Sequence, residues 1–126
     1  MASLDHIILK VNDLEASVSF YTEVMGFTLE GVDGPFTVLK VGPDCQLQLA
    51  PWGTPGLEHY AFSVSKREFQ DIFARMKTRG IAFGPTFDSV GLNTSPGQES
   101  GARGIAPTLY FNDPNKHLIE IRTYEH

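Results

Sequence analysis

A chain of 126 residues, 41% hydrophobic and 20% charged, is long enough to bury a core and too apolar to be a disordered segment. Its net charge of −5, with scattered basic residues, argues against a nucleic-acid or anionic-membrane partner. No apolar run approaches the roughly 20 residues of a membrane span. The single Cys45 cannot close an intramolecular disulfide, and Met1-Ala2-Ser3 leads straight into strand pattern, so a cytoplasmic location is expected.

Leu4–Val11 alternates at period two and predicts a strand. Asn12 or Asp13 can cap a following helix, in which Leu14, Val18, Tyr21 and Met25 recur at helical spacing until Gly26. Short strands are predicted at Phe27–Glu30, Phe36–Val41 and Cys45–Ala50, and Pro51–Gly56 reads as a linker. Leu57–Val64 then begins a second unit. Ser65 and Glu68 form a capping box for a helix with the apolar stripe Phe69, Ile72, Phe73 and Met76, closed by Gly80. Ile81–Phe83 is a short strand, and residues 84–106, rich in Gly, Ser, Pro, Asn and Thr, read as one long lid-like loop. Strands are predicted again at Thr108–Phe111 and His117–Thr123, with His117 itself exposed at a turn.

The chain therefore repeats itself. Leu57-Glu58-His59 echoes Leu4-Asp5-His6, 53 residues earlier, and Ile119-Glu120-Ile121 echoes Leu47-Gln48-Leu49 at an offset of 72. Each half reads β-α-β-β-β. Strand parity places Ile7, Leu9 and Val11, and likewise Tyr60, Phe62 and Val64, under the helices, with His6 and His59 on the other face. The same test puts Gln48 and Glu120 on that second face. A lone strand histidine is more commonly solvated or hydrogen-bonded, and a strand-end glutamate is more commonly a solvated residue. What points to a metal is the repetition of spacing and parity in both halves. Two imidazoles, a carboxylate and an amide oxygen suit a divalent ion such as Zn, Ni, Mn or Fe.

At these residues the chain resembles the glyoxalase I / bleomycin-resistance / extradiol dioxygenase (vicinal oxygen chelate) superfamily. The resemblance is carried by Leu4-Asp5-His6-Ile7, Met25-Gly26-Phe27, Leu57-Glu58-His59-Tyr60-Ala61-Phe62 and Tyr110-Phe111-Asn112-Asp113-Pro114 leading to Glu120. It implies an α+β fold, two βαβββ modules whose curved mixed sheets form a cup. The whole of 1–126 would be a single glyoxalase-like domain, with module one at 4–50 and module two at 57–124. The resemblance also implies His6, His59 and Glu120 as metal ligands, Gln48 as the fourth, and a homodimer that shares its sites between chains.

Departures separate the activities. Bacterial glyoxalase I carries Glu where this chain has Gln48, an amide that cannot act as a base. Fosfomycin-resistance thiol transferases carry a Thr two residues after the first ligand, where Ile8 stands, and a Lys/Ser/Arg clamp that is not intact here. Arg103 and Arg122 remain as anion contacts. Extradiol dioxygenases share a Tyr ten residues before the Glu, as in Tyr110 and Glu120, but their upstream His is missing between His59 and Tyr110. The expectation is a metal-dependent enzyme of lyase/isomerase, thiol-transferase or dioxygenase type acting on a small oxygen-rich molecule. In it Tyr110 is an acid or hydrogen-bond donor and Glu120 a base. The alternative is a non-catalytic protein that sequesters a drug or metabolite.

Overall fold

The computed structural model describes residues 1–126 and divides them into two units, Met1–Pro55 and Gly56–His126. The first unit holds β1 (His6–Lys10), α1 (Leu14–Ser19), a π-helical turn (Phe20–Val24), β2 (Thr28–Asp33), β3 (Phe36–Gly42) and β4 (Cys45–Ala50). Its sheet runs β1-β4-β3-β2, with β1 parallel to β4 and the other pairs antiparallel.

Of the two candidate caps, Asp13 is the one used, its carboxylate accepting from the Ala16 N–H at 3.0 Å. Asn12 instead accepts from the Thr54 N–H at 2.8 Å, which ties the unit's last residues to its first connection. The helix then widens: the Met25 N–H reaches back five residues to the Phe20 carbonyl at 3.1 Å. Ser17, Phe20, Tyr21, Val24 and Met25 are buried, whereas Leu14 and Val18, expected in the stripe, are half-buried.

The second unit holds β5 (His59–Ser63), α2 (Lys66–Arg79), β6 (Phe83–Gly84), β7 (Gly97–Gly101), β8 (Gly104–Asn112) and β9 (Leu118–Arg122). Its sheet runs β5-β9-β8-β6, and β7 continues along the edge of β8 beyond β6. The capping box on α2 is complete in both directions, at 2.9 and 3.1 Å, and Gly80 ends the helix in the left-handed conformation at φ 68°.

The stretch 84–106, expected as a single loop, is not one. Only residues 85–96 leave the sheet, and they are tied back by the Gly91 and Asn93 N–H groups, which donate to the Phe83 carbonyl at 3.0 and 2.9 Å. Residues 97–101 and 104–106 form the far end of a hairpin, closed by the two-residue turn Ala102-Arg103. Gly97 permits the return, since a Cβ there would stand 2.5 Å from the Pro85 carbonyl oxygen.

The repeat extends to register. In the first unit Gln48 lies between Ile8 and Val38; in the second Glu120 lies between Ala61 and Tyr110. These are the same positions under the offsets of 53 and 72. Position for position, the open face of the second sheet has gained a carboxylate, a phenol and, at Arg122, a guanidinium where the first has Gln48, Val38 and Ala50. In both sheets the opposite face is apolar and buried: Leu47 and Leu49 in one, Leu109, Phe111, Ile119 and Ile121 in the other.

Candidate metal centre

Glu120 sits on the central strand β9, and its carboxylate is buried. A carboxylate removed from water needs compensation, and two side chains supply it. Arg122 donates from Nη1 to Oε2 at 2.7 Å. The Tyr110 hydroxyl, directly across on β8, hydrogen-bonds the carboxylate. His59 Nε2 lies 3.2 Å from Oε1. Small Ala61, across from Glu120 on β5, leaves the space that this constellation occupies.

His59 is held by its other nitrogen. Nδ1 lies 3.1 Å from the Leu118 carbonyl oxygen, which can only accept, so Nδ1 carries the hydrogen. In the neutral ring Nε2 then bears a lone pair aimed at a lone pair of Glu120. Two acceptors at 3.2 Å repel each other unless a proton or a metal cation lies between them. Neighbouring ligands on an ion with bonds of about 2.0–2.2 Å stand roughly 2.8–3.5 Å apart, so this pair has the spacing of a two-ligand bite. A ligating histidine whose second nitrogen is tied to a backbone carbonyl is also the usual way of fixing tautomer and ring orientation. The donor set fits a divalent ion.

Tyr110 packs flat against His59, with ring centroids 6.1 Å apart and 17° between planes. Burial first, then its hydrogen bond to Glu120, push its hydroxyl well above the ordinary tyrosine range. It therefore remains a proton donor at neutral pH.

Arg122, read from the sequence as an anion contact, is committed elsewhere. Beyond Glu120 it donates to the carbonyls of Ser100, Glu99 and Gly104 at 3.2, 2.9 and 2.9 Å, so it bolts the β7–β8 hairpin to the candidate centre. Burial alone would lower the guanidinium; Glu120 and Tyr124 together outweigh it and hold Arg122 above its ordinary value. Gly101 makes room for it, since a Cβ there would stand 2.3 Å from the guanidinium carbon. Gly101→Ala is expected to cost about 1–3 kcal/mol by overpacking, read as a lowered urea midpoint with unchanged slope.

The two candidate ligands of the first unit are placed on the equivalent face and are less constrained. His6 is exposed, its Nδ1 2.7 Å from Asp5. Gln48 donates to Gln46 at 3.3 Å, and no hydrogen bond joins it to His6. In neither unit do three or more His, Cys, Asp or Glu side chains gather into a set able to hold a metal, so the second unit by itself offers the two-ligand bite. His117, expected to be exposed, is 1% exposed: Nδ1 accepts from the Glu58 N–H at 3.3 Å and the ring meets Tyr60 edge-on.

Sequence and fold comparisons show the family. Residues 3–121 match the Glyoxalase/Bleomycin resistance protein/Dioxygenase superfamily. The chain is 27% identical to the glutathione transferase FosA of Serratia marcescens over 128 residues, covering 96% of this chain and 80% of that protein. It is 29% identical to a probable lactoylglutathione lyase of Vibrio cholerae over 132 residues, covering 92% and 86%. Among solved structures, the oxidase ChaP-H1 superposes with a TM-score of 0.77 at 29% identity, covering 98% of this chain and 96% of the other. With two units that each place a strand and a helix before a mixed sheet, and a family match over residues 3–121, the chain belongs to the Glyoxalase/Bleomycin resistance protein/Dioxygenase superfamily.

Proposed function

We propose that the protein is a divalent-metal-dependent enzyme acting on a small oxygen-rich molecule. The observation that carries this reading is the approach of His59 Nε2 to Glu120 Oε1, 3.2 Å apart and with both partners fixed from behind, His59 by Leu118 and Glu120 by Arg122. His6 and Gln48, their positional equivalents in the first unit, are the further ligands, in a homodimer that shares its sites between chains. Bound there, Zn, Ni, Mn or Fe would polarise a substrate oxygen or stabilise a developing oxyanion.

Proton transfer falls to the chain's own groups. Tyr110 is a hydrogen-bond donor, its proton held by burial and by Glu120. Glu120 is the only carboxylate among the proposed ligands and is the base; Gln48 cannot serve. Arg122 draws Oε2 away from the bite, so the carboxylate offers Oε1 alone. The relatives' names supply the reactions to try: glutathione transfer, lactoylglutathione lysis and oxidation. Metal-loaded and chelated protein should be compared for thiol consumption, lactoylglutathione turnover and oxygen uptake. Turnover in one assay, lost on chelation and restored by one ion, is the expected result. Inactivity in all three, together with a ligand affinity that survives chelation, would make the protein a sequestering binder.

A further inference from the structure

Arg103 takes no part in the metal centre, and its surroundings are those of a binding group. It occupies the two-residue turn between β7 and β8. Its backbone N–H donates to the Tyr124 hydroxyl at 3.2 Å, one terminal nitrogen donates to Ser63 Oγ at 2.9 Å, and the guanidinium lies 4.2 Å above the Tyr124 ring. Ring and hydroxyl fix the plane of the guanidinium, yet its other N–H donors have no protein partner and no carboxylate offsets its charge. Ser63, having accepted from Arg103, keeps its own hydroxyl hydrogen to donate.

These groups face a cavity of about 250 Å³, walled by Ala61, Ser63, Arg103, Glu120, Arg122 and Tyr124. Glu120 and Arg122 neutralise one another at 2.7 Å, which leaves Arg103 as the unopposed charge. In a chain of net charge −5, the cavity that includes the proposed ligand Glu120 is thus locally positive. A planar guanidinium with free N–H donors matches two coplanar oxygens of a carboxylate or phosphate. The cavity is smaller than the roughly 300–1,000 Å³ of drug-sized pockets, so it takes an oxyanion group with a few attached atoms.

We propose that this cavity is an oxyanion subsite with Arg103 as its binding residue, and that the molecule the protein acts on is itself an anion, an oxyacid or a phosphate ester. The identity of the occupant as substrate rests on the proposed metal-dependent activity; the subsite itself stands on the second unit alone.

The test is a titration of chelator-treated protein with inorganic phosphate and, separately, with acetate, against chloride at equal ionic strength. Binding is followed by the backbone amide shifts of Ala61 and Ser63. A saturable response to at least one anion is expected, weakened about tenfold or more in Arg103→Gln and less in Arg103→Lys. Response to phosphate alone or to acetate alone assigns the group. No saturable response to either, or equal affinity in Arg103→Gln, overturns the subsite. Arg103 is exposed in a turn, so unchanged shifts elsewhere in the spectrum will verify the fold. Metal content of the same samples separates the two readings: anion binding in a protein that takes up no divalent ion supports the subsite and removes the metal-dependent enzyme.

Discussion

Arg122→Met is expected to cost about 3–5 kcal/mol of unfolding free energy, more than any exposed substitution in the second unit. The variant leaves the Glu120 carboxylate buried without its guanidinium, and it strips a donor from the carbonyls of Ser100, Glu99 and Gly104. Methionine fills much of the volume, so the loss reports charge and hydrogen bonding. Adding Glu120→Met removes the stranded charge and should recover part of the loss, because replacing both members of a buried pair is far milder than removing one. Recovery stays incomplete, since the three hairpin carbonyls remain without Arg122. Urea unfolding of the two single variants and the double variant checks this. Full recovery in the double variant would mean that the hairpin contacts contribute nothing.

Glu120→Gln is expected to lower divalent-metal affinity by at least about 100-fold, beyond the 10–100-fold that changes around a ligand typically cost. The amide retains an oxygen that can accept from Arg122, so stability falls much less than in a truncation to alanine, which would leave the buried guanidinium facing an empty space. Competition against a chelating dye measures the affinity, and thermal unfolding of chelated protein measures the fold. A large loss of stability with unchanged affinity would reverse the two roles assigned to Glu120.

Much of the fold, and the placement of the candidate site residues on one face, was legible in the sequence because strand periodicity is strict. One shared parity carried His59 and Glu120 to the same face, and the offsets of 53 and 72 foretold a register that the two sheets keep. Helix ends were legible where capping chemistry is local, as at Ser65, Glu68 and Gly80. What escaped depends on distant or non-ideal backbone. Arg122 looked like a free anion contact because its partners at Glu99, Ser100 and Gly104 lie in a hairpin whose Gly- and Ser-rich strand shows no apolar alternation. His117 read as exposed because a turn precedes it. The turn is drawn tight by Asp113, which accepts from the Asn115 and His117 N–H groups at 2.8 and 2.9 Å, so the next side chain already points inward. In the first helix the expected Tyr21 and Met25 are buried, but they share their face with Ser17, Phe20 and Val24 rather than with the half-buried Leu14 and Val18.

The most direct test of the metal centre is the metal content of wild type and His59→Ala, each chelated, reloaded with one divalent ion at a time, and analysed by elemental mass spectrometry. His59 is half exposed, so its truncation should leave the fold intact. The prediction is about one ion per chain in wild type and none in His59→Ala, with matching unfolding curves for the chelated proteins. Stoichiometric metal retained in His59→Ala, or no uptake of any ion by wild type, would contradict it.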